Sequence, residues 1–383
     1  MNTTKLKNVC VVVSGTTPKS TDERYWNGTH VWITPAELSE DSFIVTDSER
    51  HITDEAIKAT GLKSFPKGTV LLSSRAPIGK VAIAGCEMYC NQGFKNLICS
   101  ESIYNLYLYY FLKSKTAYLN SLGRGATFKE ISKGIVEDIS IPFPVYSEQI
   151  RIAKQLQKIS ELISLKKGQY RYFDDIIRSR FIEMFGDSQS NPKGFPYKRI
   201  NEFAKCIAGA TPSTKRKEYW SNGIIPWMSS GEVNYKRIWE TEKRISQIGY
   251  DSCSTKMIPA HTVVIAMAGQ GRTRGTVAVA EIPLCTNQSL CSIITDGTVD
   301  TDYLFTYLQF QYNNLRNISN GSSGRGGLNI KLIGQFAVLV PPLAIQQKFS
   351  NFLKEIDKSK MAVQKSLDEL ETLKKSLMQT YFG

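Results

Sequence analysis

Long apolar runs are absent from this sequence of 383 residues. No segment stays apolar and uncharged over the roughly 20 residues that a helix needs to span a bilayer. The beginning of the chain, Met1-Asn2-Thr3-Thr4, lacks the apolar core of a secretion signal. We therefore expect a cytoplasmic protein, and the secreted and membrane-spanning classes are excluded.

Cysteine and histidine do not form the patterns of a disulfide framework or of a metal site. The eight cysteines are scattered without paired spacing, which predicts small buried thiols in a reducing compartment. The three histidines, His30, His51 and His261, do not cluster with cysteines, so no zinc site is expected. The sequence also offers them no convincing serine or cysteine partner for a hydrolytic triad.

The common motifs of nucleotide-binding and methyl-transferring enzymes are also missing. No glycine-rich loop ends in Gly-Lys-Ser/Thr, and no strand leads into a Gly-x-Gly fingerprint. The Asn/Asp-Pro-Pro-aromatic motif of adenine methyltransferases does not occur, because Pro341-Pro342 stands between Val340 and Leu343. We therefore predict a binding protein without catalytic residues, not an enzyme.

The net charge of +13 favours a polyanionic partner. Lysine and arginine exceed aspartate and glutamate in every part of the chain, and there is no basic tail or polybasic block. An anchor to a membrane surface would concentrate its charge in one segment. The even distribution favours a polyanion that both halves of the chain contact.

Two segments, 148–186 and 345–383, carry apolar residues at alternating spacings of four and three. This spacing is typical of a helix that packs along another helix. At about 1.5 Å per residue each seam is roughly 50 Å long, more than a small domain can cover, so each helix needs a partner of equal length. The seams superpose at an offset of 197 residues, and we predict an antiparallel coiled coil. The residues predicted to pair the helices are Ile152, Leu156, Ile159, Ile163, Tyr170, Phe173, Ile177, Phe349, Leu353, Ile356, Val363, Leu367, Leu370 and Leu377.

The segments that precede the two helices also repeat each other. Residues 1–147 and 187–344 each contain a turn with Thr-Pro, then Tyr-Trp, then β-branched runs with the length of buried strands, then an apolar helical region. A chain of this length is sufficient for two such domains plus the helices. The predicted fold class is α+β: two similar α+β domains, 1–147 and 187–344, joined by the long helices 148–186 and 345–383.

Loops between paired strands are the first candidates for contact with nucleic acid. They run from Ser73 to Lys80 in the first half and from Met267 to Gly275 in the second. Glycines let the backbone approach a surface closely, and Gln and Arg side chains can bond base edges or phosphates. The alternative is a pair of solvent-exposed hairpin tips. The candidate contact residues are Arg75, Lys80, Gln270, Arg272, Thr273 and Arg274.

Two further groups of basic residues are candidates for contact with phosphate. Arg124 and Arg325 lie in glycine-rich loops, which either contact phosphate or only turn the chain toward the long helix. The other group lies near the Thr-Pro turns, where exposed lysine and arginine are suited to phosphate. Its members are Lys19, Lys215, Arg216 and Lys217.

These residues resemble a known family. Two variable halves, each ending in a proline-bounded strand, a Glu/Gln-Gln pair and a long helix that closes on Phe-Gly, are similar to the specificity subunit of type I restriction-modification systems. The loops Ser73–Gly79 and Ala268–Gly275 look like loops of its target recognition domains. The resemblance covers the whole chain, and it depends on the order of elements more than on any single motif.

The resemblance implies a non-catalytic, DNA-binding subunit. Each target recognition domain would read one half of a bipartite site in double-stranded DNA, with the helices as spacer. The expected partners are two modification subunits, which methylate adenine with S-adenosylmethionine, and ATP-dependent restriction subunits. Those cofactors would be bound by the partners and not by this chain. The partners would dock on the helices and on the linker 187–200.

Two other functions remain open on the sequence alone. The first is a helical scaffold that links two protein-binding domains, with the positive charge serving only solubility. The second is a chain with its own nuclease or methyltransferase activity, against which the missing motifs argue.

Overall fold

The computed structural model describes residues 2–75, 77–125, 129–188, 190–269, 271–319 and 327–383. The chain forms two compact units. Unit 1 comprises Met1–Gln169 and Val363–Gly383, and unit 2 comprises Tyr170–Ala362. Within the described ranges, no helix combines the length and the apolar character needed to cross a membrane.

Unit 1 contains a five-stranded sheet, a three-stranded sheet and a separate strand pair. Its strands are β1 (Thr3–Lys5), β2 (Cys10–Val13), β3 (Trp26–Ile33), β4 (Ile44–Val45), β5 (His51–Ile52), β6 (Val70–Leu72), β7 (Val81–Ala84), β8 (Tyr89–Cys90), β9 (Asn96–Cys99) and β10 (Ser140–Pro142). Its helices are α1 (Asp54–Thr60), α2 (Asn105–Ser114), α3 (Thr116–Leu122), α4 (Lys133–Glu137) and the first part of α5 (Tyr146–Phe185).

The strand order in unit 1 is β2-β9-β6-β7-β4 in the larger sheet and β5-β3-β8 in the smaller, with β1 paired to β10. Neighbouring strands are antiparallel, except that β4 runs parallel to β7 and β3 parallel to β8. In the β6–β7 pair, Val70 lies opposite Ile83.

The central strands of this sheet are apolar on both faces because both faces are covered. Val70 and Leu72 of β6 pack with α2 in one cluster, and Leu71 between them packs in a second cluster with Ile33 and Phe65. Side chains in a strand alternate between faces, which explains why the sequence shows a continuous apolar run.

Unit 2 repeats this arrangement. Its strands are β11 (Tyr197–Arg199), β12 (Ala204–Ala208), β13 (Ile225–Met228), β14 (Arg237–Ile238), β15 (Lys243–Ile245), β16 (Thr262–Ala266), β17 (Val277–Ala280), β18 (Cys285–Thr286), β19 (Leu290–Thr295) and β20 (Ala337–Leu339). Its helices are α6 (Ile200–Phe203), α7 (Gln247–Asp251), α8 (Thr301–Phe310), α9 (Tyr312–Ile318), α10 (Ile330–Gly334) and the first part of α11 (Leu343–Phe382). The orders β12-β19-β16-β17-β14, β15-β13-β18 and β11-β20 match those of unit 1 strand for strand. The prediction of two similar α+β domains is confirmed.

The long helices pair within each unit, because the last part of α11 also belongs to unit 1 and the last part of α5 also belongs to unit 2. In unit 1, Ile159 and Ile163 from the first half of α5 form a buried cluster with Leu367 from the second half of α11. In unit 2, Phe181 from the end of α5 lies 5.4 Å from Phe349 near the start of α11, measured between ring centroids. The early part of each helix therefore meets the late part of the other, which is an antiparallel arrangement. The prediction of paired long helices is confirmed.

The predicted seam residues differ in burial. Those that are buried are Ile152, Leu156, Ile159, Ile163, Phe349, Leu353, Val363 and Leu367. Those that are half-buried are Tyr170, Phe173, Ile177, Ile356, Leu370 and Leu377.

The structure divides the first predicted helical region into two helices, and the second region likewise. In unit 1 the break follows Ser114, whose hydroxyl donates to the carbonyl of Phe111, while the hydroxyl of Thr116 donates to the carbonyl of Lys113. Such local bonds compete with helical hydrogen bonding. The long helices begin two residues earlier than expected, at Tyr146 and Leu343, and β11 lies inside the segment expected to be a linker.

Candidate nucleic-acid interface

The Thr-Pro turn of each unit is held by a pair of tryptophans. In unit 1, Trp26 and Trp32 pack edge to face at 5.1 Å. Their indole N–H groups donate to the carbonyls of Lys19 (3.3 Å) and Thr16 (3.1 Å). These two hydrogen bonds hold the backbone of the turn. The side chain of Lys19 is exposed.

Unit 2 repeats this clamp. Trp220 and Trp227 pack edge to face at 5.0 Å, and their indoles donate to the carbonyls of Ser213 (3.2 Å) and Ala210 (3.0 Å). Trp227 is buried and Trp220 is half-buried. The tryptophans therefore have a supporting role under the turn.

Each Thr-Pro turn is also hydrogen-bonded to a second loop. The hydroxyl of Thr17 donates to the Oε1 atom of Gln92 at 2.7 Å, and the hydroxyl of Thr211 donates to Oε1 of Gln288. The approach is close: a Cβ atom at Gly15 would overlap the carbonyl oxygen of Cys90. Glycine is needed there because the two backbones touch.

The loop between the central strands joins the same group. In unit 1, the N–H of Ser74 donates to Gly93 (2.8 Å), and the carbonyl of Ser74 accepts from Ile131 (3.0 Å). In unit 2, Met267 donates to Ser289 (2.8 Å) and accepts from Leu328 (3.0 Å). Four loops therefore meet in each unit. Their described residues are 14–19, 73–75, 77–80, 91–95, 123–125 and 129–131 in unit 1, and 208–217, 267–269, 271–276, 287–290, 319 and 327–329 in unit 2. We call each set the four-loop surface.

Charged side chains connect three of the loops in unit 1. A guanidinium nitrogen of Arg75 lies 2.8 Å from one oxygen of Glu130, and the ammonium of Lys95 lies 3.2 Å from the other. Burial raises the pKa of the Glu130 carboxyl, but the hydrogen bonds from Arg75 and Lys95 outweigh burial and hold that pKa below its usual value. Arg75 remains 45% exposed and is held at the surface in one orientation.

Lys80 does not reach this surface. Its ammonium donates to the backbone carbonyls of Pro35 and Leu38 inside unit 1. Lys80 directly precedes β7, where the chain has already left the loop tip, so its side chain turns to the domain and not to the surface. The Lys80 ammonium is therefore engaged within unit 1, and its contact with nucleic acid stays a prediction.

The equivalent loop of unit 2 is supported by α9. The hydroxyl of Tyr312 donates to the carbonyl of Arg272 at 2.9 Å, and the guanidinium of Arg316 donates to the carbonyl of Gly271 at 2.6 Å. The side chain of Arg272 is exposed, whereas those of Thr273 and Arg274 are half-buried. These bonds from α9 hold the backbone at Gly271 and Arg272, and Arg272 has the most accessible side chain of the three.

The remaining candidates are spread over the same surfaces. Arg124 is exposed, and its backbone pairs with that of Glu130. The basic residues near the second Thr-Pro turn, Lys215, Arg216 and Lys217, are exposed. Gln270 and Arg325 lie outside the described residues.

A groove of about 440 Å³ opens on the four-loop surface of unit 2. It is lined by Met267, Ala268, Gln288, Ser289, Leu328, Asn329, Ile330 and Lys331. The lining combines apolar side chains with the polar side chains of Gln288 and Lys331, a combination that suits the edge of a base beside its phosphate. Among the described residues, no group of three or more His, Cys, Asp or Glu side chains could hold a metal ion.

Sequence reasoning missed several members of this surface. Gln92, Gln288 and Glu130 have ordinary surface character, and Tyr312 and Arg316 lie in a helical region far along the chain from the loop that they support. The repeat contained a usable signal, because Asn-Gln occurs at 91–92 and again at 287–288.

Comparison with known proteins gives a consistent result. The family model described as "Type I restriction modification DNA specificity domain" matches residues 1–171 and 192–372. The type I restriction enzyme MjaIX specificity subunit of Methanocaldococcus jannaschii is 28% identical over 394 residues, which cover 98% of this chain and 90% of the relative. The EcoR124I/EcoR124II specificity subunit of Escherichia coli is 24% identical over 241 residues, which cover 59% of this chain and 57% of the relative.

Solved structures show the same fold. The crystal structure of a type I restriction-modification S subunit from M. genitalium superposes with a TM-score of 0.63 at 16% identity, covering all (100%) of this chain and 96% of the other. A chain from a study of complex assembly and conformational transition of the type I system gives a TM-score of 0.64 at 16% identity, covering 100% and 97%. At this identity the likeness concerns the fold.

Proposed function

The chain belongs to the family of type I restriction-modification specificity subunits, and we propose that it reads a bipartite site in double-stranded DNA, one half with the four-loop surface of each unit. The family is non-catalytic, with the chemical activities in partner subunits. The proposed target recognition domains are 1–147 and 187–344, followed by the helices 148–186 and 345–383.

The observation that carries this proposal is the duplicated four-loop surface with unlike side chains. The two surfaces have the same backbone connections, yet Arg75 with Glu130 occupies one and Arg272 occupies the other. Arginine on a glycine-bearing loop can form two hydrogen bonds with the O6 and N7 atoms of guanine in the major groove. Unlike side chains on like scaffolds support reading of two different half-sites.

The long helices supply the spacer in this proposal. Their paired seams make each a stiff element, and stiffness is what a fixed gap between half-sites requires. The dispersed positive charge supports contact with phosphates along the site, because phosphate contacts give affinity without reading sequence.

The proposed partners are two modification (methyltransferase) subunits and restriction subunits. S-adenosylmethionine and ATP would be bound by those partners, so this chain contributes target choice alone. We propose the exposed faces of α5 and α11 and the segment 187–200 as the docking sites of these subunits.

Selection from a random pool of duplex DNA tests the proposal. The full chain, alone or with its modification subunits, is incubated with the pool, and bound duplexes are sequenced at two salt concentrations. We expect one split motif with a constant gap, and affinity that falls steeply as salt rises. A single uninterrupted motif, or no enrichment, would contradict the proposal.

A further inference from the structure

We propose that Gln92 and Gln288, oriented by Thr17 and Thr211, contact the sugar–phosphate backbone of DNA, one in each half-site. These glutamines would add affinity without reading sequence. The inference rests on the proposed function, since it concerns how each four-loop surface meets its half-site.

The threonine–glutamine pair is the same in the two units. In both, the Thr-Pro hydroxyl donates to the carboxamide oxygen of a glutamine at the same place in the repeat. The loops beside the pair differ, as Arg75 and Arg272 show. If the two units read different sequences, a side chain that is the same in both units suits a feature that both half-sites share. The sugar–phosphate backbone is that feature.

The chemistry of the bond also favours phosphate as the partner of the glutamine. The threonine hydroxyl engages the oxygen of the carboxamide, which sets the side chain in one orientation. A glutamine nitrogen carries two N–H donors, and phosphate oxygens are acceptors. Glutamine and threonine are among the side chains that contact phosphates in protein–DNA interfaces. Both glutamines are exposed, so a phosphate can reach them.

The surroundings of the pair are rigid and positively charged. The turn that carries each threonine is fixed by two indole hydrogen bonds, so little conformational freedom is lost when DNA binds. The same turn carries exposed cations, Lys19 in unit 1 and Lys215 to Lys217 in unit 2. In unit 2 the glutamine is also one of the residues that line the groove. A phosphate here would meet both a lysine and a carboxamide.

Glutamate in place of glutamine tests this role without removing the loop connection. In Gln92→Glu and Gln288→Glu the side-chain oxygen still accepts from threonine, whereas the N–H donors become an anionic oxygen that repels phosphate. We expect each variant to bind all duplexes of a random pool about tenfold more weakly, with the rank order of sequences unchanged. The deficit should shrink as salt rises, because salt screens the repulsion.

Gln335→Glu is the matched control, since it makes the same change in charge at an exposed position directly after α10, outside the four loops and outside α5 and α11. It should leave affinity within about twofold of the unaltered chain. Thermal melting shows whether each variant is folded. Where a glutamate variant melts early, Gln92→Ala or Gln288→Ala replaces it, with an expected loss of about threefold and the same unchanged rank order.

The outcomes separate the possible roles. A changed rank order at one half-site would overturn the inference, because the glutamine would then read a base. Unchanged affinity in the glutamate variants would also overturn it and leave the pair as a loop connection alone. If the unaltered chain selects no split motif, the proposed function itself fails. Failure of the inference alone appears only when the unaltered chain does select one.

Discussion

At the scale of single residues, Glu130 holds the four-loop surface of unit 1 together. Its carboxylate accepts from Arg75 on one loop and from Lys95 on another. The folded-state pKa of Glu130 lies below its usual value, so the ionised form stabilises unit 1. This stabilisation is fully present above the unfolded-state pKa and is lost as the pH falls through the folded-state pKa.

Gln in place of Glu130 should therefore destabilise unit 1 in a pH-dependent manner. We expect a loss of about 2 kcal/mol near pH 7, because hydrogen bonds between charged groups are replaced by weaker ones. The difference from the unaltered chain should shrink as the pH falls through the lowered folded-state pKa of Glu130, where the unaltered carboxyl also becomes protonated. Urea denaturation over a series of pH values from 7 downward measures it, and a difference that does not change with pH would contradict the role of the charge.

Arg272 and Arg75 offer a second test, of modular readout. Arg272→Ala should relax the preference at one position of one half-site by about 1–3 kcal/mol, the value of a two-bond contact with a base. Arg75→Lys keeps the charge beside Glu130 but loses the planar fork, so it should relax the other half-site only. Sequencing of methylated sites in cells that carry the chain with its modification subunits gives both results. Loss at both half-sites from one variant would contradict modular readout.

The sequence located these loops but did not show which side chains reach their surface. Repetition identified the loop at 73–80, and the structure confirms that it joins two strands. Repetition could not reveal that Lys80 turns inward, because that depends on the carbonyls of Pro35 and Leu38, about forty residues earlier in the chain. Contacts at such separation leave no periodic signal.

At the scale of elements, the end of each long helix belongs to the core of a unit. Phe382, at the end of α11, packs at 5.2 Å from Tyr107 in unit 1. Phe185, at the end of α5, packs at 4.7 Å from Tyr303 in unit 2. Both phenylalanines are buried, which explains the Phe-Gly pair that closes both repeats. The helix seam and the domain core are therefore continuous.

Phe382→Ala and Phe185→Ala should each destabilise one unit. Truncation of a buried phenylalanine costs about 3–5 kcal/mol. We expect Phe382→Ala to lower amide protection in the strands of unit 1, and Phe185→Ala to lower it in those of unit 2. Hydrogen exchange with mass spectrometry reads both, and each variant is the control for the other. If Phe382→Ala instead exposed unit 2 alone, the assignment of the end of α11 to unit 1 would be wrong.

Charges beside the long helices differ between the units. In unit 2, Arg237 of β14 bonds the carboxylates of Glu281 and Asp302, and its Nε atom lies 3.6 Å from Asp357 of α11. In unit 1, burial, with the charge of Lys113 beside it, lowers the pKa of Lys374 in α11. The charge of Arg237 is therefore compensated by carboxylates, whereas folding disfavours the charged form of Lys374.

Methionine at these two positions should have opposite effects. Arg237→Met leaves two poorly solvated carboxylates, and we expect a loss of about 3 kcal/mol in unit 2. Lys374→Met removes an ammonium that folding disfavours, so unit 1 should melt at the same or a higher temperature near pH 7. The pKa of Lys374 is lower in the folded state than in the unfolded state, so the folded state binds this proton less firmly. The stability of unit 1 in the unaltered chain therefore rises as the pH rises toward the ordinary lysine pKa. Calorimetry measures both melting temperatures. A lower melting temperature for Lys374→Met than for the unaltered chain would contradict the prediction.

Helices were the elements most accessible from the sequence. The seam spacing predicted both long helices to within two residues at each end. Short strands such as β4 and β5, at two residues each, were not predicted. Two residues carry no measurable alternation, and the partners of these strands, β7 for β4 and β3 for β5, lie elsewhere in the chain.

At the scale of the whole molecule, the repeat determines what can be inferred. Strand order, tryptophan clamps and the Thr–Gln bond occur in both units, whereas the side chains at the loop tips differ. The shared part is recoverable from the sequence by comparing it with itself. In the proposed function the differing part carries the specificity, and a sequence compared with itself contains no information about the DNA target.

Lengthening both long helices tests the proposed spacer. Seven residues inserted between Gln169 and Tyr170 and seven between Ala362 and Val363 preserve the repeat of the seam. These positions are the boundaries between the units, so neither core is altered. The insertion adds about 10 Å, or about three base pairs at 3.4 Å each.

We expect sequencing of bound duplexes to show the same two half-sites with a longer gap. An insertion in one helix alone is the control, because it leaves the two seams unequal in length and should lower affinity and melting temperature. Two half-sites at the original gap would mean that the helices do not set the spacing. Altered half-sites with a longer gap would mean that each unit depends on the helices for more than its position, because a spacer that is independent of its readers changes only the distance between their targets.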